Sequence, residues 1–333
     1  KRKRSVVLAS KFIRKIHNDN PSLWKSFIVL AKGHMLANAL MCPDLDSLKS
    51  TFARTTFYLD TPFVMRLLGL EGEERERAAV QTIELTRSQG GKFCVFEHTM
   101  TESYNVVSGA ARFIDRPDGR GSIVFEMRKQ KKRFSDLVLI AEKLDTLLAR
   151  RGVAVRDTPK YEMSLQIDEA AFYNILDEEI SYYNEKAKDF DINSVRSIYV
   201  LRRGTCPRRL EAATAVLVTS NEAFAKAAFQ FGKDFESTKE VSSVITDFSL
   251  ANIAWLKSPV KADELPQKEI LSLSYAALKP TERLWNSYLK EIESLESTDD
   301  IEPRDHALLK YGLSVREELM NLTLGEEQAL TKQ

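Results

Sequence analysis

Over the first fifty residues the apolar positions recur at helical spacing. Leu23, Phe27, Leu30, His34 and Ala37 fall on one face, and Leu40 and Met41 extend it until Pro43. Asn18-Asp19-Asn20-Pro21-Ser22 ends one helix and caps the next. The pattern predicts a two-helix arm over 1–50 that needs a partner surface. The period then changes. Thr55-Thr56-Phe57-Tyr58-Leu59 is rich in β-branched and aromatic residues and stops at Asp60-Thr61-Pro62, as a buried strand feeding a helix would. Further strands are predicted at Lys92–Phe96, Ala215–Val218 and Val241–Ile245, with a short one at Val153–Val155.

Between them lie helical patterns at 63–70, 73–88, 100–111, 122–151 and 167–187, then after Asp191, at 222–231 and from Asp247 through Leu256. Thr99 and Glu102 have the spacing of a capping box. Strands alternating with helices predict an α/β fold with a mainly parallel central sheet, helices on both its faces, and helical N- and C-terminal extensions. The expected organisation is a helical arm over 1–50, a sheet domain over 51–257 with a helical insertion at about 112–187, and a helical extension over 258–333.

Composition narrows the classes without choosing among them. The chain has 333 residues, 43% of them hydrophobic and 29% charged, which is a globular composition. No apolar run reaches the ~20 residues of a membrane span, so no membrane partner and a cytoplasmic location are expected. Lys1-Arg2-Lys3-Arg4 has no initiator Met and no apolar h-region behind it, and reads as an internal boundary or a processed end. Cys42, Cys94 and Cys206 are too scattered for a disulfide framework or a CxxC pair, and the four His lack metal-ligand spacing.

The polar residues at the predicted strand ends carry the chemistry. In a parallel sheet the carboxyl ends of the strands open on one crevice. Asp60 follows the first strand, Glu102 lies one turn into the helix after the second, Asp191 begins the helix before the third, and Asn221 ends the third. Carboxylates gathered in this way repel one another, and a hard divalent cation is the natural neutraliser. Mg2+ or Mn2+ would suit, activating a water and stabilising a transferring phosphoryl group without His or Cys. The competing use of Asp, Asn and Thr at such junctions is helix capping. No GxGxxG or GxxxxGK[ST] phosphate loop is present.

With Tyr58-Leu59-Asp60-Thr61, Thr99-Met100-Thr101-Glu102, Asp191-Ile192-Asn193-Ser194-Val195 and Val218-Thr219-Ser220-Asn221, the chain resembles the PIN-domain metal-dependent nucleases over roughly 51–257. The resemblance implies a Mg2+- or Mn2+-dependent endonuclease that cuts RNA in preference to DNA. Asp60, Glu102 and Asp191 would be catalytic metal ligands, Asn221 would complete the site or position water, and Thr61 or Thr219 would support them. Glu97 is an alternative to Glu102, and Asp189 to Asp191. Asn221 replaces the commoner acidic residue, and Asp247 could restore a carboxylate to the metal site or cap its own helix. A catalytically silent module that binds RNA or a protein is the competing expectation, motivated by Asn221.

Summed charge is +1, from 49 basic and 48 acidic residues, but its placement is uneven. Residues 112–133 hold eight bases against three acids, and 192–210 hold five bases and no acid, so a backbone-gripping surface is expected at Arg128, Lys129, Lys131, Lys132, Arg133, Arg202 and Arg203. Residues 291–305 carry seven acids and one base. A regulatory protein partner could grip that acidic tail or the arm, as in a toxin or defence effector held off until needed. A homo-oligomer is also compatible with the chain.

Overall fold

The computed structural model describes residues 2–40, 51–119, 121–180, 182, 184–205, 207–232 and 241–257, with 267, 280, 282–298, 301–302, 305–306, 309–310 and 315–323. The chain divides into two compact units, one holding 35–115 and 120–266 and the other 1–34, 116–119 and 267–333.

The larger unit is a five-stranded, wholly parallel sheet. Its strands are β1 (Thr56–Leu59), β2 (Lys92–Phe96), β3 (Val153–Arg156), β4 (Ala215–Thr219) and β5 (Val244–Thr246), in the order β3-β2-β1-β4-β5. Tyr58 pairs with Cys94 on one side and Leu217 on the other, which sets the central register. Successive side chains point to opposite faces, and both faces are covered. Phe57, Leu59, Phe93, Val95, Val216 and Val218 enter one core, while Tyr58, Cys94, Phe96, Ala215 and Leu217 enter a second. This two-sided burial explains why the strands read as nearly continuous apolar runs.

The helices number onward from the N-terminal α1 (Arg2–Asp19) and α2 (Pro21–Leu40). The first core is covered by α3 (Thr61–Leu67), α4 (Glu73–Ser88), α5 (Glu97–Ile114), α6 (Ser122–Lys129), α7 (Phe134–Glu142), α8 (Leu144–Arg150) and α12 (Asp247–Lys257). The second is covered by α9 (Glu169–Glu179), α10 (Glu185–Arg202) and α11 (Glu222–Phe231). The predicted helical stretch at 122–151 is three helices, with Lys131 at φ 59° in the first break. The segment expected to be a helical insertion also supplies β3, one of the two edge strands.

The smaller unit joins the N-terminal arm to C-terminal helices α13 (Glu282–Ser297) and α14 (Val315–Thr323). Val7 packs with Leu284, Trp285, Leu289, Leu319 and Met320, and Ile16 packs with Trp24 and Ile28. Among the described residues no helix is long and apolar enough to cross a membrane.

Candidate functional site

Asp60 is the residue on which the sheet and α3 meet. Its backbone N–H donates to the Val218 carbonyl at 2.9 Å and its own carbonyl receives the Val64 N–H at 3.0 Å, so it stands at the N-cap position of α3. Its side chain does not cap the helix. The carboxylate instead accepts the Thr219 hydroxyl at 2.7 Å, across from β1 to β4. That hydroxyl in turn receives the Asn221 backbone N–H at 3.0 Å. The Thr61 hydroxyl, one residue after Asp60, donates to Glu102 on α5. On α10, Asp191 accepts the phenolic hydroxyl of Tyr182.

Three acids from three separate elements therefore sit at the carboxyl edge, each with a neutral hydroxyl on one oxygen. Burial raises the Asp60 carboxyl to about 6, against hydrogen bonds from Thr219 and the Thr61 backbone that favour the charged form. Burial, then the charge of Asp60, pushes Glu102 up to about 7, with the Thr61 hydroxyl opposing. Asp191 is held well above the ordinary carboxylate range by burial and then by Asp60, with Glu102 adding to the effect and Tyr182 opposing it. Burial, and then Asp191, also raise the Tyr182 phenol, so it stays a proton donor. Like charges disfavouring one another is the signature of a shared acidic centre.

Among the described residues, no three His, Cys, Asp or Glu side chains stand close enough to hold one ion together. Mg2+ is commonly held by one or two carboxylates, with waters and a substrate phosphate completing its shell. The donor chemistry of Asp60 with Glu102 or Asp191 fits a hard cation of that kind.

The other expected residues are placed elsewhere or otherwise employed. Asn221 is the N-cap of α11, its amide oxygen accepting the Ala223 and Phe224 N–H groups at 3.1 and 3.2 Å. Asp247 opens α12, pairs with Arg66, accepts the Ser220 hydroxyl at 2.7 Å and receives the Phe248 N–H at 2.8 Å. The Thr99 capping box does not form. The helix begins at Glu97 directly after β2, so Thr99 is an interior residue with a buried, unpartnered hydroxyl. Glu97 is exposed, and Asp189 faces a cleft on the side of α10 away from Asp191.

Arg202 corrects the expected phosphate-gripping surface. It is buried, and its guanidinium donates to the carbonyls of Ala215, Val241 and Ser242 at 2.8–2.9 Å, which consumes the group in holding the amino ends of β4 and β5. Arg203 is exposed at the left-handed C-cap of α10, φ 50°. That is twelve residues from Asp191, about 18 Å along a helix. Arg128 caps α5 by donating to Phe113 and Ile114 at 2.9 and 2.7 Å. Lys129, Lys131, Lys132 and Arg133 are exposed beside that helix end, again about 18 Å from Glu102 by helical rise.

The sequence carries no signal for the Tyr182 partner of Asp191, which lies nine positions before it and outside α10. Sequence reasoning also missed a polar chain through His98, whose ring nitrogens meet Thr158 and Ser194 hydroxyls at 2.7 and 2.8 Å. Burial, then the nearby Arg196 charge, lowers His98 to about 4, so it is neutral. With hydroxyls on both sides and no carboxylate behind it, this buried pair ties the start of α5 to α10 and is no nucleophile–base unit. No protein-family model, no curated protein and no solved structure matches the chain.

Proposed function

We propose that the chain is a PIN-like, Mg2+- or Mn2+-dependent endonuclease that hydrolyses phosphodiester bonds in RNA in preference to DNA. The observation that carries the reading is Asp60. It occupies a helix N-cap yet its carboxylate makes no capping bond, turning instead to the Thr219 hydroxyl and the adjacent Thr61 N–H, and it shares the carboxyl edge with Glu102 and Asp191. A structural Asp in that position would cap, as Asn221 does. Asp60, with Glu102 or Asp191, would hold the cation, with water and substrate phosphate completing its shell. A bound cation would supply an activated water and relieve the charge developing on the phosphoryl oxygens. Thr219 orients Asp60, Thr61 orients Glu102, and Tyr182 keeps Asp191 turned inward by donating a proton it does not release. Hydroxyl partners hold each carboxylate in place while leaving its charge unneutralised, which a cation site requires.

The test is cleavage of single-stranded RNA by the purified chain with Mn2+, with chelator, and with Asp60→Asn. Cleavage that needs the cation and disappears in the variant supports the assignment. Equal cleavage by the variant, or none by either, removes it. A second reading, a catalytically silent PIN-like module that binds RNA or a protein, is favoured by the Asn221 amide, which is spent on α11. That reading expects RNA or partner binding that is unchanged by Mn2+ and by Asp60→Asn.

A further inference from the structure

A second concavity lies on the opposite side of α10. Asp189, Ile192, Asn193 and Arg196 recur at i, i+3, i+4 and i+7 and so form one helix face. With Tyr161 and Tyr173 they line a cleft of about 750 Å³. Asp191 lies roughly 200° round the helix from Asp189, outside this face. The cleft is the size of a small-molecule or nucleotide site, and the carboxylate site does not use it.

We propose that this cleft binds an unpaired guanine base stacked on Tyr161. Tyr161 is 67% exposed, an unusual fraction for an aromatic residue at a concave surface, so its ring is accessible to a stacking base. Ile192, 8% exposed, gives the cleft an apolar floor. The polar groups then select the base. Asp189 and Arg196 are seven residues apart, two turns or about 10.5 Å. Guanine presents acceptors O6 and N7 at one edge and N–H donors at the other, and Arg to O6 and N7 is the commonest specific base contact. A carboxylate facing N1–H and N2–H and a guanidinium facing O6 and N7 is a pairing no other base satisfies at both ends.

Arg196 stands beside that ring. It lies 5.9 Å from the Tyr161 ring centroid, is 4.0 Å from Glu169, and donates to the Asn193 amide oxygen. The charged lining residues, Glu169 and Asp189 against Arg196, sum to −1. A phosphate is therefore the wrong occupant and a neutral base with donors the right one, with its sugar and phosphate left outside in solvent. The base can come from an RNA strand or from a free guanine nucleotide, since both present the same edges. This inference stands on the cleft and does not depend on the nuclease reading, so its binding is measured with chelator present.

The experiment is calorimetric titration of the full chain in chelator with guanosine, GMP, adenosine, uridine, an all-uridine RNA oligomer, and the same oligomer carrying one guanine. Guanosine is expected to bind about tenfold or more tighter than adenosine or uridine. Tyr161→Ala is expected to weaken it about tenfold or more, as loss of one stacked base does, while Tyr161→Phe keeps it. Asp189→Asn should erase the preference for guanosine over adenosine. Tighter binding of the guanine-bearing oligomer than of GMP assigns the base to an RNA strand, and the reverse order assigns it to a free nucleotide. Equal binding of all nucleosides, no binding, or a Tyr161→Ala variant indistinguishable from the parent overturns the proposal. All of these outcomes are independent of whether the Mn2+-dependent cleavage assay succeeds.

Discussion

The two edges of one sheet treat charge in opposite ways. At the amino edge, buried Arg202 faces the carbonyls of Ala215, Val241 and Ser242, and Arg128 faces those of Phe113 and Ile114. These cations meet acceptors that need donors in any case, so the fold gains from them directly. At the carboxyl edge, Asp60, Glu102 and Asp191 meet hydroxyls and one another, and burial, with the charge of Asp60 acting on the other two, raises their carboxyls against the opposing hydrogen bonds. The difference separates residues that the fold uses from residues that the fold tolerates. Only the second kind calls for a reason outside the fold.

The largest expected effect sharpens that contrast. Asp60→Asn should lower single-turnover RNA cleavage with Mn2+ by about a thousandfold, or about 4 kcal/mol of barrier. The same substitution should raise the melting temperature at pH 8, because it deletes a destabilising charge. A variant both inactive and less stable would place Asp60 among the fold's own supports. Arg202→Met comes next. It strips three carbonyls of a buried donor and should cost about 3 kcal/mol, read as a fall in the urea midpoint. Cleavage per folded molecule should be unchanged, and a selective loss of cleavage would bring the amino edge into the site.

The pH dependence follows from the raised acids. Asp60 goes from its ordinary 3.8 to about 6 and Glu102 from 4.5 to about 7, so between roughly pH 4 and 7 the folded state keeps protons that the unfolded state has released. Stability without metal should therefore fall as pH rises through that window. Allowing for the water that reaches partly buried Glu102, the fall is on the order of 2 kcal/mol, and Asp60→Asn should flatten it. Denaturant midpoints at pH 5 and pH 8 measure it, and a rise with pH would contradict the carboxylate account. The smallest effect is expected from Lys131→Ala with Lys132→Ala, which should change RNA affinity by less than about twofold and leave its salt dependence intact. A tenfold loss would show that the strand reaches from one edge to the other.

Much of the fold was legible in the sequence. β2, α4 and α11 have the predicted ends, because Gly72, Gly90-Gly91, Asn221 and Gly232 punctuate the chain at their boundaries. Helix starts were harder. Asn184 caps α10 and starts it six residues before Asp191, and a helix that follows β2 without a turn buries the would-be cap Thr99. The site was legible only as residue types. Asp60 and Asn221 both end strands, and whether such a side chain turns to the helix or to the crevice depends on Thr219, which belongs to a strand far along the chain. The 128–133 and 202–203 bases looked like one phosphate surface because charge density along a sequence carries no information about which end of a helix faces which edge.

The central claim is that the carboxyl-edge acids are there for a cation. Electron paramagnetic resonance of Mn2+ titrated into the purified chain tests it without requiring a substrate. The account predicts binding at pH 8 that weakens as pH falls below about 6, as protons reclaim carboxyls raised to about 6 and about 7, and that is lost in Asp60→Asn. Binding that is absent at pH 8, or unchanged by Asp60→Asn, would contradict it.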